Sequence, residues 1–394
     1  MAHSPASAPS VSKQEIVERA RTLAPKFAAR AAAAEEARRM PAESAKDMLD
    51  AGFARILLPT RIGGYGLGFD TWFEVMRELS KADASHGWCA GLIIHHAHLI
   101  AQYPEEAQKT LWAKSLDVPV AASFAPNTQA VPVDGGYRVS GKGSPFASGV
   151  DHSSWVMLGG MVQDAGGPEW KFFLVAPGDY TVRDTWHTVG MKGTGSNTIV
   201  TDNAFVPHGR VLRLTDLRDA KTPGSAMYGE TIFHTPFFFY APISFITPML
   251  GAVQGAYEIF RDWTKNRRTQ GGASMAETTS VQVRMARAAA DIDAAELLVE
   301  RAVHVTDAPE LYSLQLVARS ARDFTRAAEL IVGAIDTLVT LSGTASFTAS
   351  HPIQRAWRDI HLMAMHISVN PEMNYSNFGR IAFGLGRDGH HPYL

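Results

Sequence analysis

Three histidines stand within four positions of the segment IIHHAH, at His95, His96 and His98. If this segment is helical, His95 and His98 lie on one face and His96 on another, because residues three apart in a helix are neighbours. No acidic residue stands nearby in the sequence to complete a set of metal ligands. The spacing therefore predicts no metal site and leaves the three imidazoles as candidates for substrate contact or packing.

A turn of small and hydrogen-bonding residues, GTGSN, begins at Gly193 and joins two segments of alternating polar and apolar residues. Thr194, Ser196 and Asn197 offer side-chain donors, and Gly193 and Gly195 would let backbone N–H groups approach a ligand closely. Such a turn could hold a phosphate or the edge of a flavin, or could be a tight turn and nothing more. Since no strand with a GxGxxG motif precedes it, the pattern does not predict a nicotinamide site.

The composition sets broad limits on the class of protein. The sequence has 394 residues, a formal net charge of −2 and a hydrophobic content of 46%. This length predicts two or three domains, and the charge provides no clustered basic excess for a nucleic acid partner. The single cysteine, Cys89, cannot form an internal disulfide, and the first residues lack the basic and apolar runs of a signal peptide. We therefore expect a cytoplasmic protein.

One apolar segment, TPFFFYAPISFITPMLGAV at 235–253, approaches the length of a membrane span. Pro236, Pro242 and Pro248 interrupt the segment, and no charged flanks mark it as membrane-inserted. We expect it to form a buried wall or a subunit interface, without contact with a membrane.

The composition and periodicity of the sequence change twice along the chain, and this pattern predicts an α+β multidomain protein. Residues 1–115 are rich in Ala, Glu, Arg and Lys with apolar residues at helical spacing, which predicts an all-α domain. Residues 116–225 hold short β-rich runs between Gly, Pro, Asn and Asp turns, which predicts a β-barrel or sandwich. Residues 226–394 return to long Ala-rich periodic segments, the last at 351–368, which predicts a C-terminal four-helix bundle.

This order of domains, at these lengths, resembles the acyl-CoA dehydrogenase superfamily. Three segments carry the resemblance, WHTVGMKGTGSNTIVTDNAFVP, YEIFRDWTKNRR and PIQRAWRDIHLMAMH, and the similarity spans essentially the whole chain. Within the superfamily, SHGWCAGLIIHHAH, AASFAPNTQAVPVDGGYRVSGKGSPFASGVDHSSW and HISVNPE are similar to the reduced-flavin-dependent, two-component monooxygenases. That branch includes the oxygenase components of p-hydroxyphenylacetate hydroxylase and of the secosteroid phenol hydroxylase.

The resemblance implies an activity and partners. The chain would be an oxygenase component that uses reduced FMN or FAD and O2, through a C4a-hydroperoxide, to hydroxylate an aromatic, phenolic substrate. A separate NAD(P)H-dependent flavin reductase would supply the reduced flavin. The family is usually a homotetramer in which an arginine crosses a subunit interface to the flavin phosphate. Arg267 matches that arginine, with Arg268 as the nearest alternative.

The resemblance also assigns site residues. Ser123 matches a hydroxyl that bonds flavin N5 and slows the loss of its proton, His366 matches a base for the phenol, and His96 matches a histidine that donates to the substrate oxygen. The expected flavin-binding residues are Trp88, Ser123, Ser148, Gly149, His152, Thr194, Ser196, Asn197 and Arg267. Taken without the resemblance, Ser123 would be a strand serine bonded to backbone, and His366 a packed core histidine.

Other functions stay open at this point. A dehydrogenase or oxidase of this fold would use a glutamate base, and one common location for it, eight residues after Asp359, holds Ile367. N- or S-oxygenation of a non-phenolic substrate would need no base at His366. A flavin-binding protein without chemistry would be indifferent to substitution at Ser123 and His366. The segments 210–235 and 368–394, together with Phe237 to Tyr240 and the tail GRDGHHPYL, are expected to frame the substrate, whose identity the sequence does not give.

Overall fold

The computed structural model describes residues 11–164, 167–269, 271–308 and 312–386, so the expected substrate frame at 387–394 lies outside the described residues. Five helices come first in the chain: α1 Lys13–Ala37, α2 Ala42–Asp50, α3 Phe69–Ala82, α4 Ala84–Ala101 and α5 Glu105–Leu111. Helix α1 begins at a capping box, in which the side chains of Ser12 and Glu15 each accept from the backbone N–H of the other.

Helix α4 carries the three clustered histidines and is the central helix of this part of the chain. Asp83 caps it by accepting a hydrogen bond from the backbone N–H of His86 at 3.1 Å. Gly87 and Gly91 face α3, where an added Cβ would overlap Ser80 and Met76 respectively. The two glycines therefore let α3 and α4 pack closely, and nearly every residue of α4 is buried.

Seven strands follow: β1 Val120–Val133, β2 Gly136–Ala147, β3 Trp155–Asp164, β4 Gly167–Val175, β5 Thr181–Arg183, β6 Asn197–Pro207 and β7 Val211–Arg213. They form one sheet in the order β5-β6-β2-β1-β3-β4-β7, antiparallel except for the pairing of β1 with β3. Phe173 of β4 and Ile199 of β6 share one buried cluster although three strands separate them in this order. The sheet therefore curls around a small core of its own.

The remaining described residues are mainly helical: α6 Leu214–Arg218, α7 Pro223–Met227, α8 Phe237–Tyr240, α9 Ile243–Lys265, α10 Thr279–Thr306, α11 Leu314–Ser342, α12 Pro352–Met363 and α13 Pro371–Ala382. The sequence predicted four long helices here, the last at 351–368. The structure instead ends α12 at Met363 and adds α13, because Asn370 caps a new helix that Pro371 begins. His366 accordingly starts a short 3-10 turn and is not part of a helix.

Two segments, Phe237–Lys265 and Leu314–Phe347, are long and apolar enough to cross a membrane by length and composition alone. The most apolar window of the first is 78% buried inside this protein. On α9, Gly251 and Gly255 bring the helix backbone against the backbone of α3. This is the pattern of a core helix, and it agrees with the buried wall that the sequence predicted at 235–253.

Candidate functional site

A cavity of about 570 Å³ lies where α4, the ends of β1 and β2, the GTGSN turn, α9 and the turn after α12 meet. Seven of the predicted site residues line it: Trp88, His96, Ser123, Ser148, Thr194, Ser196 and His366. Most of the remaining wall is apolar, with Phe124, Trp186, Phe237 and Phe245 among its aromatic rings. The structure thus brings residues from four distant parts of the sequence into one site.

A chain of hydrogen-bonded hydroxyls runs along one wall of the cavity. Trp88 Nε1 donates to Ser148 Oγ at 3.0 Å, and the hydroxyls of Ser148 and Ser196, then of Ser196 and Thr194, lie 2.7 Å apart. Thr194 Oγ1 donates to the Met191 carbonyl at 2.8 Å. Because each hydroxyl carries one proton, Ser196 must donate to Thr194 and Ser148 to Ser196. Ser148 Oγ is left with a lone pair that can accept a hydrogen bond from an N–H group.

Ser123 lies on β1 directly before the point where the pairing of β1 with β3 shifts register. Such irregularities re-aim side chains and are frequent beside functional sites. The Ser123 hydroxyl donates to the Pro145 carbonyl at 2.7 Å, as expected of a strand serine satisfied by backbone. Its oxygen still has lone pairs, so Ser123 offers the cavity an acceptor in the same way as Ser148.

His96 presents a hydrogen-bond acceptor to the cavity. Its Nδ1 lies 2.6 Å from the Val120 carbonyl, which can only accept, so Nδ1 carries the proton. Nε2 then holds the lone pair, and it is buried without a partner among the described residues. Burial lowers the pKa of His96 to about 4, which keeps the ring neutral at pH 7. The sequence predicted His96 as a donor to substrate, and the geometry favours the opposite polarity.

His366 has the reverse arrangement. Its Nδ1 accepts from the Ser368 backbone N–H at 3.2 Å, so in the neutral ring the proton lies on Nε2. The ring stacks on Phe245 with centroids 3.7 Å apart and meets Trp88 edge-on at 6.2 Å. Burial lowers the pKa of His366 to about 4. The expectation was a base with a pKa near neutrality, whereas this geometry makes His366 a neutral donor.

The two histidines lie toward different ends of the cavity. His366 contacts Trp88, near the start of α4, whereas the ring of His96 contacts Phe124 and His95. Trp88 and His96 are eight residues apart on α4, which corresponds to about 12 Å along the helix axis. We therefore expect one substrate hydroxyl to reach only one of the two rings.

Two other predicted flavin-binding residues, Gly149 and His152, do not line this cavity. They line a separate cavity of about 20 Å³, which meets the main site at Ser148. His152 Nε2 donates to the Met40 carbonyl at 2.5 Å and so joins the sheet to the N-terminal helices. In this chain alone, both residues support the wall that carries Ser148.

The glycines of the GTGSN turn serve packing in this chain. A Cβ on Gly193 would lie 3.1 Å from Ser85 and 3.2 Å from Ala34, on α4 and α1. Gly195 has a φ of +54°, in the left-handed region that favours glycine. The glycines therefore let the turn approach the helices, and the side chains of Thr194 and Ser196 provide its contribution to the cavity.

Asn197 and Arg267 also lie outside the cavity wall. Asn197 Oδ1 accepts from the backbone N–H groups of Thr185 and Trp186 at 3.0 and 3.1 Å, which fixes the start of β6. Arg267 is exposed just after α9, with its guanidinium over the Trp263 ring at 4.4 Å. Its role at a flavin phosphate would require a second copy of the chain.

Comparisons with known proteins agree with this architecture. The family pattern described as Acyl-CoA dehydrogenase, N-terminal domain matches residues 10–116, and that described as Acyl-CoA dehydrogenase, C-terminal domain matches residues 243–371. The oxygenase component of the FADH(2)-dependent resorcinol hydroxylase of a Rhizobium species is 35% identical, with 99% of each chain covered. The chain belongs to the acyl-CoA dehydrogenase superfamily. The predicted fold class is confirmed.

Two solved structures indicate the branch of the superfamily to which the chain belongs. The HsaA monooxygenase from M. tuberculosis superposes with a TM-score of 0.91 at 32% identity, covering 98% of this chain and 100% of that one. XiaF from a Streptomyces species, solved in complex with FADH2 and glycerol, superposes with a TM-score of 0.88 at 29% identity, covering 97% and 98%. With the resorcinol hydroxylase, these relatives confirm the predicted enzyme class, the oxygenase component of a two-component flavin-dependent monooxygenase that uses reduced flavin and O2.

The residues present fit a reduced flavin. The aromatic wall suits a planar ring system, and Ser148 and Ser123 each hold an acceptor lone pair toward it. Among the described residues that line the cavity there is no Asp or Glu, and Ile367 itself lies in the wall. The glutamate base of a dehydrogenase therefore has no counterpart in this part of the site. No group of three or more His, Cys, Asp or Glu able to hold a metal occurs within the described ranges.

Sequence reasoning left two features of the site unresolved. His95 lines the cavity together with His96, although adjacent residues in a helix point in different directions. Phe237 to Tyr240 were expected to help frame the substrate, and Phe237 and Phe238 line the cavity, whereas Phe245 of α9 was assigned only to a buried wall in general. No local signal distinguishes such residues from core, because the same apolar types serve both.

Proposed function

We propose that this oxygenase hydroxylates a phenol whose hydroxyl group donates to Nε2 of His96. The observation that carries the proposal is a buried, unpartnered acceptor in an otherwise apolar cavity. A buried acceptor without a partner costs about 1–3 kcal/mol, so a ligand that supplies a donor gains that amount. The related resorcinol hydroxylase of a Rhizobium species acts on a phenol, which agrees with this choice of substrate.

The hydrogen bond to His96 orients the ring and raises its electron density. The hydroxyl proton is shared with a neutral imidazole, so the phenol oxygen becomes more electron-rich without a full charge in the cavity. Attack by an electrophilic oxygen occurs on the ring carbons ortho or para to that hydroxyl. His96 is thus the proposed residue for both substrate position and reactivity.

Reduced flavin, when bound, supplies the two electrons that activate O2. The residues of the chain would control protons around it: Ser148 and Ser123 have lone pairs that would accept hydrogen bonds from N–H groups, and His366 would donate from Nε2. An N–H that is held by such an acceptor in a dry site loses its proton more slowly. The donor at His366 can in turn stabilise a negative oxygen atom.

The proposed cofactor and its reductase are inferred from the relatives, and the proposed compartment from the reductase. One relative is an FADH(2)-dependent hydroxylase and another was solved in complex with FADH2, so we assign FADH2 as the preferred flavin over FMN, with a separate NAD(P)H-dependent reductase as its source. The cytoplasm is the proposed compartment, since the reductase and NAD(P)H are available there. The small aromatic substrate is the one ligand that the cavity itself must select.

A homotetramer is the proposed assembly. Arg267 is exposed and lies outside the cavity, and the most apolar window of Leu314–Phe347 is only 39% buried within one chain. An apolar helix face of that kind is typical of a subunit interface. Packing of such faces would allow Arg267 of one copy to reach the flavin phosphate in another.

The test is a coupled assay with purified protein, a flavin reductase, NADH and a panel of monophenols under 18O-labelled O2. We expect a hydroxylated product that carries one labelled oxygen for at least one phenol. For replacement of His96 in this assay, His361→Ala serves as the matched control. His361 lies on α12, hydrogen-bonds the Trp357 carbonyl at 2.8 Å and does not line the cavity. Release of peroxide with every phenol tested, and no labelled product, would contradict the proposal.

A further inference from the structure

A second imidazole at the inner end of the cavity has no role in the reaction described above. His95 is fully buried and lines the cavity beside His96, with ring centroids 5.8 Å apart. Its Nε2 has no hydrogen-bond partner among the described residues. A buried N–H or lone pair in this state costs about 1–3 kcal/mol, so something that is not part of the described chain is expected to satisfy it.

The hydrogen bond on the other side of the ring determines what Nε2 offers. His95 Nδ1 lies 3.0 Å from Ser244 Oγ, and Ser244 is fully buried with no other side-chain partner in the described structure. If Nδ1 donated, the buried Ser244 hydroxyl proton would be left unpaired. Ser244 therefore donates to Nδ1, and the His95 proton lies on Nε2. His95 is a donor, whereas His96 beside it is an acceptor.

The direction of this donor is fixed by packing. The His95 ring lies nearly parallel to the rings of Phe124 and Phe237, at interplanar angles of 21° and 20°. Trp72 and Tyr240 also contact the ring, with centroids at 5.0 and 5.7 Å. A ring held between aromatic neighbours cannot turn freely, so Nε2–H keeps one direction and is a fixed donor for a ligand that reaches it.

We propose that the substrate is an aromatic ring with two oxygen substituents, of which a hydroxyl donates to His96 and the second oxygen accepts from Nε2–H of His95. This deepens the proposed function and rests on it, because it names the class of phenol that the same site selects. His95 is then the residue that determines specificity between dihydric phenols and monophenols. The centroid distance of 5.8 Å between the two imidazoles is short enough for one six-membered ring to serve both.

The experiment measures binding and does not depend on turnover. Protein loaded anaerobically with FADH2 is dialysed to equilibrium against resorcinol and 3-methylphenol, and against catechol and 2-methylphenol. Each pair differs by a hydroxyl against a methyl group of similar size. The variants are His95→Phe, which keeps a ring but removes the donor, and His98→Phe as a control for replacing a buried histidine of α4 that does not line the cavity.

We expect the parent to bind the diphenol about tenfold more tightly than its methyl partner in at least one pair, since one neutral hydrogen bond is worth about that factor. His95→Phe should bind the two members equally, whereas His98→Phe should keep the preference. Equal affinities of the parent for the diphenol and its methyl partner would overturn the proposal, and they are the result expected if a buried water bonds Nε2. A preference for the diphenol that survives in His95→Phe would also overturn it. Failure of the labelled-oxygen assay would instead refute the proposed function, while the binding preference would still decide the role of His95.

Discussion

Replacement of His96 by phenylalanine tests the protonation state in which a phenol is bound. Burial lowers the pKa of His96 to about 4, whereas a phenol has a pKa of about 10. Transfer of the proton to His96 is then uphill by about six pKa units, or about 8 kcal/mol. Attraction between the two resulting charges at about 4 Å returns about 4 kcal/mol at an effective dielectric constant of about 20. The remaining cost of about 4 kcal/mol leaves about one bound phenol in a thousand ionised.

The assay is ultraviolet absorption of a bound phenol, for which the neutral and ionised forms have separate bands. We expect the neutral band from pH 6 to pH 9 in the parent protein. His96→Phe should weaken binding by about tenfold through loss of the acceptor, and slow hydroxylation by about 10²–10⁴-fold through loss of proton acceptance in the reaction. His366→Phe should leave the affinity for the phenol unchanged, because its ring lies toward the other end of the cavity.

A phenolate band in the parent at pH 7 that disappears in His96→Phe would refute the energetic argument, because His96 would then be a stronger base than its burial allows. An equal loss of affinity in His96→Phe and His366→Phe would refute the assignment of the two rings to separate ends. Either result can be separated from misfolding by thermal unfolding of each variant without substrate.

Three further outcomes are expected. Ser148→Ala and Ser123→Ala should each release peroxide faster from the protein–FADH2 complex in stopped-flow absorbance, and equal rates of flavin reoxidation in a variant and the parent would exclude that hydroxyl as the acceptor. Burial raises the pKa of Asp359 to about 7, above its unfolded value, so the folded protein should lose stability as pH rises from about 4 to about 7, by up to about 4 kcal/mol. Asp359→Asn should remove this dependence in urea unfolding, and a parent with equal stability at pH 5 and pH 8 would contradict it. Arg267→Ala should weaken FADH2 binding more than His366→Phe does, as measured by anaerobic fluorescence titration, and an unchanged affinity would remove Arg267 from the flavin site.

The sequence was sufficient for the class of fold and for seven of the residues that line the cavity. Periodicity identified the helical and β-rich parts, and the resemblance supplied residues such as Trp88, Ser148 and Thr194 that the structure brings together. The histidine cluster shows the limit of spacing arguments. Because α4 is buried on nearly all sides, the faces that separate His95 from His96 in a helical wheel both contact interior groups, and both residues line the cavity.

The polarity of each imidazole could not be predicted from sequence. His96 is an acceptor because the Val120 carbonyl takes its Nδ1 proton, and His366 is a donor because the Ser368 N–H occupies its Nδ1. Both partners are backbone groups, which do not depend on the residue type, so the sequence does not indicate these hydrogen bonds. The local change from helix to 3-10 turn at His366 decides its role, and helix ends are the least predictable part of a periodic pattern.

A common property links these features. Among the described residues that line the cavity there is no Lys, Arg, Asp or Glu, and burial keeps His96 and His366 neutral at pH 7. The polarity of these lining residues therefore comes from neutral donors and acceptors, and backbone groups, the Ser244 hydroxyl and the hydroxyl chain that ends at Met191 fix the direction of several of them. Such a site can hold a reactive oxygen species next to a neutral phenol, because it contains no mobile charge that attracts water. The negative phosphates of the flavin must then be neutralised outside the cavity, and this requirement is the physical reason to expect a cation such as Arg267 from a neighbouring copy.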